Sequence, residues 1–429
     1  MKSRDGKRLT VFFVLAILVI GSLSILPIRA DDKIELRYYT WDDASGIKFI
    51  NQVVKSFTAK HPNITVKVES ASYGDYWQKL QTMVASQTAP DIIHINPDYL
   101  AVFANRGALL NLNTFIKNDK EFNIQDYYAE IIKVHQINNK LFVLPRDVAP
   151  SVLFYNEKMF RDAGLPTPYE YYKEGKWNRE TFLKAAQKLS KPDVQQYGVT
   201  FETMWHRALQ WVWQNKGNAF NSVDKPTRCL LNSKNAVAGY QFAADLINVY
   251  HVSPSPRLTQ TQTSTELFST GKVAMDINGA WMIPAYKNIK AFKWDIAPLP
   301  QGTVWGDVTG GSGPSVYSKT KHPKEAWELS KALAGPEAQS LFAEAGYIVP
   351  TLKSIFDSKS FLQSDAAPKN RDIFLEVQKY AKIPVLTEKY MEINDIIQKQ
   401  LDLVWLGEQS AKEAMQKAVP EINKILAKK

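Results

Sequence analysis

Residues 34–70 read IELRYYTWDDASGIKFINQVVKSFTAKHPNITVKVES, and this stretch with its continuation to residue 95 decides the fold class. Alternating apolar residues predict strands here, and apolar residues at helical spacing predict helices. The dipeptide His61-Pro62 ends the first helical pattern. The predicted elements are a strand over 34–39, a helix over 47–57, a strand over 64–68, a helix over 76–84 and a strand over 91–95.

This strand–helix–strand–helix–strand order predicts a parallel sheet with right-handed crossovers. In such sheets, ligands bind beyond the carboxyl ends of the strands. The residues that follow the first and third predicted strands include Trp41, Asp42, Asn96 and Asp98. We therefore take these four as candidate ligand-binding residues, although each polar one can instead cap the helix that follows.

The rest of the 429-residue chain alternates between short strands and longer helices, and its length suits two large domains. Predicted strands cover 141–144, 152–155, 271–277 and 294–297, and predicted helices cover 177–189, 236–250, 325–333 and 337–345. We expect the segment after residue 350 to be mostly helical. The sequence has neither an internal repeat nor a Pro- or Ser-rich linker, which indicates lobes joined by several crossings of the chain.

The first thirty residues have the order of a secretory signal peptide. A basic head that includes Lys2 and Arg4 precedes an apolar run, and cleavage is expected after Ala30. A membrane anchor is the alternative, but small polar residues interrupt the apolar run before it reaches spanning length. The single cysteine, Cys229, lies far from the leader, so we expect a released, periplasmic or extracytoplasmic protein without a lipid anchor or an internal disulfide.

The charge of the chain argues against nucleic-acid binding. Residues 1–30 carry five Lys or Arg and one Asp, so their removal lowers the formal charge from +10 to +6. The remaining basic residues are scattered along the sequence and form no basic arm, whereas nucleic-acid binding concentrates them on one face.

Five groups of residues, spread in order along the chain, resemble the family 1 extracellular solute-binding proteins, which include the maltose-binding protein. Arg146 departs from the family pattern, in which an apolar residue is usual. The groups are Tyr76-Trp77 with Pro90-Asp91-Ile92; VLFYNEKMF at 152–160; FSTGKVAM at 268–275 with GAW at 279–281; APLPQG at 297–302 with the glycines at 310–313; and HPKEAW at 322–327 with GYIVP at 346–350.

The resemblance implies an α/β, two-lobed periplasmic-binding-protein fold of type II. Each lobe would be a mainly parallel sheet flanked by helices, and the ligand cleft would lie between the lobes. The implied segments are 31–150 and 305–350 for lobe one, and 151–304 and 351–429 for lobe two. The implied function is that of a monomeric, non-catalytic substrate-binding component of an ABC transporter, which captures a sugar or oligosaccharide and delivers it to the membrane permease.

Further candidate ligand contacts follow from position and side-chain chemistry, because a sugar site combines aromatic faces with hydrogen-bonding groups. Trp281 occupies the family's Gly-x-Trp position, Trp205 lies in a loop-like stretch, and Tyr347 lies beside an expected crossing. Arg146 and Asp147 lie at the lobe junction and can instead pair with each other. Gly310 and Gly311 permit close approach of a ligand or simply form a turn.

Catalytic motifs are missing from the sequence. It has no Gly-x-Ser-x-Gly elbow, no dinucleotide or Walker A loop and no His-Glu-x-x-His, so we expect neither a cofactor nor a metal. Two carboxylates across a cleft are enough for a glycosidase, so an exported glycan-cleaving enzyme remains an alternative. A binder of another solute, such as a polyamine, a metal or a phosphorylated compound, is a further alternative.

Overall fold

The structure, a computed structural model, describes residues 33–362 and 367–428, so the predicted signal peptide lies outside it. The strands are β1 (Ile34–Thr40), β2 (Ile64–Ser70), β3 (Ile92–Ile95), β4 (Gln136–Ile137), β5 (Lys140–Leu141), β6 (Asp147–Val148), β7 (Ser151–Asn156), β8 (Tyr197–Phe201), β9 (Val273–Gly279), β10 (Trp294–Ala297), β11 (Asp307–Val308), β12 (Gly311–Val316), β13 (Val349–Pro350) and β14 (Ala381–Lys382).

Helices account for most of the remaining regular structure. They are α1 (Ala44–Lys60), α2 (Tyr73–Ala85), α3 (Pro97–Ala104), α4 (Asn113–Asn118), α5 (Ala129–Val134), α6 (Glu157–Asp162), α7 (Pro168–Lys173), α8 (Arg179–Leu189), α9 (Trp205–Gln214), α10 (Lys234–Asn248), α11 (Pro256–Thr259), α12 (Ser264–Ser269), α13 (Ile283–Tyr286), α14 (Pro323–Ala334), α15 (Pro336–Glu344), α16 (Lys353–Phe356), α17 (Lys359–Leu362), α18 (Ile373–Gln378), α19 (Tyr390–Trp405) and α20 (Ala411–Ala427). Within the described part of the chain, no helix has both the length and the apolar character of a membrane span.

The predicted β1–α1–β2–α2–β3 unit is confirmed. Strand β1 lies between β2 and β3 and pairs in parallel with both, with Ile34 opposite Ile64 at the start of the β1–β2 pair. Asp43 caps α1 by accepting hydrogen bonds from the backbone N–H groups of Ser45 and Gly46. The buried stripe of α1, which includes Ile50, covers the sheet.

The two larger sheets are both mixed, so the expectation of mainly parallel sheets is wrong in this detail. The first sheet has the order β13-β6-β12-β3-β1-β2, and its β13–β6, β6–β12 and β12–β3 pairs are antiparallel. The second has the order β10-β7-β9-β8, in which only β8 and β9 run parallel. The antiparallel strands come from distant segments that return to each sheet, and the local pattern of the sequence does not reveal such returns.

Strands β7 and β9 are buried along their whole length. A strand covered on both faces carries a continuous apolar run, which explains the unbroken Val152-Leu-Phe-Tyr155 motif. The strand predicted over 141–144 is shorter than expected, since β5 covers only Lys140–Leu141. The next residues lie beside β12 instead, where Leu144 N–H donates to Pro314 and Arg146 N–H donates to Ser312.

The chain passes between the two sheets at points that lie close together. Ala149 and Pro150 connect β6 of the first sheet directly to β7 of the second. The return from β10 to β12 runs through β11, which pairs in parallel with β14 from the segment beyond β13. The strands of each of the two larger sheets come from the segments predicted for one lobe, while β11 and β14 come from different lobe segments. The lobe boundaries themselves stay a prediction.

Gly311 is required where β12 meets β6. Its φ of +139° is rarely adopted by residues with a side chain, and a Cβ there would lie 2.2 Å from the carbonyl oxygen of Asp147. The glycines at 310–313 were expected to form a turn or to permit close approach of a ligand. Residues 311–313 instead belong to β12, and their backbone contacts a neighbouring strand.

We predict that Gly311→Ala lowers the free energy of unfolding by about 2 to 4 kcal/mol, because strain and overpacking add at this position. Gly310→Ala is the control, since a Cβ at Gly310 meets nothing within 4 Å, and it should change stability by less than about 1 kcal/mol. Urea denaturation measures both variants, and equal losses would contradict the packing described here.

Candidate functional site

A cavity of about 510 Å³ lies at the carboxyl ends of strands from both sheets. Residues after β1 and β3 line one side, and residues after β8 and β9 line the other. The volume lies within the range of ordinary small-molecule sites. All candidate residues from the sequence except Trp205 line this cavity: Trp41, Asp42, Asn96, Asp98, Arg146, Asp147, Trp281, Gly310, Gly311 and Tyr347.

Trp41 is a half-buried aromatic wall that other rings hold in place. Its ring centroid lies 5.5 Å from that of Tyr73, 5.2 Å from that of Trp77 and 4.6 Å from that of His94. Such contacts fix the orientation of the indole, so a ligand that stacks on it meets a preorganised face.

Trp281 lies on the opposite side, and one face of its indole is covered by the guanidinium of Arg207, 4.6 Å from the ring centroid. The ring folds back over the end of β9, where a Cβ on Gly279 would come within 1.9 Å of it. The glycine of the Gly-x-Trp motif therefore makes room for the tryptophan of the same motif.

The floor of the cavity contains a buried ion-pair network centred on Arg146. The guanidinium donates two hydrogen bonds to Asp42, at 3.0 and 3.1 Å, and its Nε donates to Asp147 at 3.2 Å. Burial opposes the charge on Arg146, but the two carboxylates outweigh this effect and raise its pKa. Arg146 and Asp147 therefore pair with each other, as the alternative interpretation expected, and Asp42 is a further partner that the sequence did not indicate.

A chain of hydrogen bonds extends this network into the sheet. Ser312 Oγ donates to Asp147 at 2.9 Å and lies 2.8 Å from Nε2 of His94, whose Nδ1 lies 2.8 Å from the hydroxyl of Tyr38. Burial and the nearby Arg146 lower the pKa of His94 well below its usual range. His94 is therefore neutral, and the polar groups beneath the cavity are satisfied by each other.

A second pair of charged residues lies on the other wall, where β8 ends and α9 begins. Arg207 forms an ion pair with Glu202 at 3.6 Å and donates from its NH1 group to the carbonyl of Ala149 at 3.1 Å. Burial raises the pKa of Glu202, and Arg207 opposes this rise. Arg207 thus connects the second sheet to the crossing between β6 and β7.

His206 is only 7% exposed, and its Nδ1 has no hydrogen-bond partner among the described residues. Burial, together with the charge of Arg207, lowers the pKa of His206 to about 3. The imidazole is therefore neutral at physiological pH, and it lines the cavity as a polar group without a charge.

The polar residues after β3 have different roles. Asn96 caps α3 by accepting from the N–H of Tyr99, and its Nδ2 donates to the hydroxyl of Tyr73 at 2.8 Å. Asp98, in the first turn of α3, has neither a hydrogen-bond donor nor an ion-pair partner within residues 33–362 and 367–428. Burial raises the pKa of Asp98 to about 6, and Arg207 opposes this rise.

Trp205 does not line the cavity, so its predicted role in ligand binding is not supported by its position. Its side chain is fully buried, its Nε1 donates to Asn394 at 2.9 Å, and its ring lies 6.0 Å from that of Tyr390. Position 205 is the first residue of α9, a helix buried on nearly all sides, rather than part of a loop.

Sequence reasoning missed several lining residues, including Tyr73, Glu202, His206 and Arg207. For Glu202, His206 and Arg207 the missed signal is β8, which was not predicted from the sequence, whereas Tyr73 begins α2 after the predicted strand β2. Had Tyr197–Phe201 been recognised as a strand, the strand-end rule would have indicated Glu202. In the described residues, no group of three or more His, Cys, Asp or Glu side chains is arranged to hold a metal ion.

The family profile described as bacterial extracellular solute-binding protein matches residues 43–340, which is more than half of the chain. The chain belongs to this family. Two relatives of this solute-binding protein are from Bacillus subtilis (strain 168). A galactooligosaccharide-binding protein is 24% identical over 392 residues, covering 88% of this chain and 86% of its own. An arabinooligosaccharide-binding protein is 23% identical over 450 residues, covering 97% and 99%.

Solved structures confirm the two-lobed fold of the solute-binding protein. An ABC substrate-binding protein from Listeria monocytogenes, in complex with cycloalternan, superimposes with a TM-score of 0.85 at 24% identity, covering 93% of this chain and 100% of its own. Maltose-bound MalE3 from T. maritima superimposes with a TM-score of 0.80 at 18% identity, covering 91% and 100%.

We predict that Arg146→Met lowers the free energy of unfolding of the solute-binding protein by about 3 to 5 kcal/mol, because it leaves Asp42 and Asp147 buried without a counter-charge. Arg37→Met is the control. Arg37 pairs with Glu69 at 2.8 Å, but its side chain is 34% exposed, so the loss should be about 1 kcal/mol or less. Urea denaturation measures both variants, and a loss at Arg146 no larger than that at Arg37 would refute the buried network.

We also predict a pH effect at His206. The native protein keeps this imidazole neutral down to about pH 3, whereas the unfolded chain protonates it near pH 6.5. The unfolded state therefore binds more protons below neutrality, and stability falls as the pH drops. Between about pH 7 and pH 5 this residue should remove about 2 kcal/mol, a loss that His206→Gln abolishes. Urea denaturation at both pH values tests this, and an identical pH slope in the variant would contradict it.

Proposed function

We propose that the protein captures a sugar or oligosaccharide in the cavity between its two sheets and delivers it to the permease of an ABC transporter. The observation that carries this proposal is the pair of opposed tryptophans, Trp41 and Trp281, with Asp98 and Arg207 beside them. Aromatic faces suit the C–H faces of a pyranose, and charged or amide groups suit its hydroxyls. The names of the oligosaccharide-binding relatives support the same substrate class.

The proposed mechanism is capture by closure of the two lobes. The crossings at Ala149–Pro150 and at the β11–β14 pair lie beside the cavity, where small backbone rotations change the separation of its walls. Ligand favours the closed form only to the extent that it contacts both walls at once. A saccharide lying between Trp41 and Trp281 meets this condition, and the permease then reads the closed shape.

Binding without chemical conversion is part of the proposal. Three of the cavity's carboxylates, Asp42, Asp147 and Glu202, are engaged in ion pairs with arginines. A glycosidase needs one carboxylic acid and one carboxylate free to act on opposite sides of the scissile bond. Asp43 accepts hydrogen bonds from two backbone N–H groups and from Tyr347, so Asp98 alone of the five lining carboxylates has no partner among the described residues. This supports a binder over the alternative of a glycan-cleaving enzyme.

The cellular setting is also a proposal. Removal of residues 1–30 after export would release a monomer outside the cytoplasm, without a lipid anchor, which holds its ligand until it meets the permease. We propose lobe boundaries near residues 150, 305 and 350, with no role in nucleic-acid binding.

The test is a thermal-shift screen of residues 31–429 against mono- and oligosaccharides, with spermidine, metal ions and phosphorylated sugars as controls. A saccharide at a hundredfold excess over its dissociation constant should stabilise the native state by about 2.7 kcal/mol. Chromatography after incubation should recover the saccharide unchanged.

Trp281→Ala should weaken that binding by about tenfold to a hundredfold, because the stacking face is lost. Tyr250→Ala, at an exposed aromatic residue outside the cavity, should leave binding unchanged. Stabilisation only by the control compounds, or consumption of the saccharide, would overturn the proposed function.

A further inference from the structure

The charge of the cavity differs in sign from that of the whole chain. The chain carries a formal charge of +10, yet carboxylates outnumber basic groups at the cavity by five to two. The carboxylates belong to Asp42, Asp43, Asp98, Asp147 and Glu202, and the basic groups to Arg146 and Arg207. His206 adds no positive charge because burial keeps it neutral.

Most of these carboxylates already have partners. Arg146 neutralises one charge shared between Asp42 and Asp147, and Arg207 pairs with Glu202. Asp43 accepts from two backbone N–H groups of α1 and from the hydroxyl of Tyr347 at 3.0 Å.

Asp98 is the exception. It lines the cavity, and within the described parts of the chain its carboxylate accepts no hydrogen bond and touches no cation. The side chain of Asp98 is half-buried, so its carboxylate is partly withdrawn from water without a partner among the described residues, which is unfavourable for a charged group. A ligand donor at this position would remove that cost.

The helix N-termini at the cavity do not balance the excess. Helices α1, α3 and α9 begin there, and each contributes about half a positive charge. Together they offset about half of the three excess negative charges. A net negative potential remains, and it becomes stronger when closure removes water from the cavity.

We propose that the cavity selects saccharides that carry a protonated amine, with Asp98 as the residue that receives the ammonium group. This inference rests on the proposed function and narrows its substrate class to amino sugars, in preference to neutral sugars and against acidic ones. The ammonium donates charge-assisted hydrogen bonds to Asp98 and neutralises the wall of the cavity. A uronate or a phosphorylated sugar at the same position meets like charge.

A second feature of the site indicates a polar ligand. His206, which is more than nine-tenths buried and lines the cavity, has a ring nitrogen without a partner among the described residues. Tyr73, whose hydroxyl accepts from Asn96, adds an aromatic wall on the side of α3. Uncharged groups of this kind suit the hydroxyls of the sugar ring, which leaves the ammonium to Asp98.

The test compares matched ligands by isothermal titration calorimetry at about pH 7, where a carboxylate with a pKa of about 6 is mostly ionised. The ligands are glucosamine and galactosamine with the oligosaccharides of glucosamine, the N-acetylated form of each, and galacturonate oligosaccharides. N-acetylation keeps the ring and removes the charge. Neutral galacto-, arabino- and maltooligosaccharides and spermidine complete the set.

We expect at least one amine-bearing saccharide to bind about tenfold or more tightly than its N-acetylated form, and galacturonates to bind more weakly than either. In Asp98→Asn that preference should disappear, so that the affinities for the amine-bearing saccharide and its N-acetylated form become about equal. Asp224→Asn, which removes an exposed carboxylate outside the cavity, should keep the wild-type ratio.

The outcomes separate the two proposals. Neutral saccharides that bind as tightly as amine-bearing ones, or a preference that persists in Asp98→Asn, would overturn the amine selectivity and leave the proposed function standing. No binding of any saccharide, or binding of spermidine alone, would overturn the proposed function. Circular dichroism of Asp98→Asn confirms that the variant is folded before its binding is interpreted.

Discussion

The guanidinium of Arg146 is buried and must be paired, and much of the architecture around the cavity satisfies that requirement. Asp42 reaches it from the end of β1, and Asp147 follows it in the chain at β6. Ser312 of β12 supports Asp147, and His94 of β3 supports Ser312. A buried charge is tolerated only with such partners. The network therefore joins four strands of the first sheet immediately before the chain crosses to the second.

Because Arg146, Asp42 and Asp147 are paired with one another, the proposed ligand recognition rests on other residues that line the cavity. Trp41 is held by surrounding rings, and Trp281 lies beneath Arg207, so both aromatic faces are preorganised. Asp98 also lines the cavity, and its carboxylate has no partner among the described residues. Polar side chains that pair with one another stabilise the fold, whereas polar side chains without a partner are available to a ligand.

The family resemblance and the strand-end rule located most of the cavity from the sequence, because both depend on local pattern. The first β–α–β–α–β unit was predicted element by element, and the residues after β1 and β3 line the cavity. The errors concern long-range structure. The sheets are mixed because β12 and β7 meet their antiparallel partners from distant segments. Trp205 is in the core because α9 is enclosed by α10 and α19, which begin well beyond it in the chain.

The sequence by itself determined the class of fold, the strands that end at the ligand side, and the residue types available there. Periodicity, helix caps and short motifs carry that information because they act between near neighbours. The tertiary structure alone decided which of those residues pair with one another. Arg146 and Asp42 are 104 positions apart, and Asp147 and Ser312 are 165 apart. Pairing over such separations depends on how whole sheets are assembled, so only the folded chain distinguishes the neutralised carboxylates from Asp98.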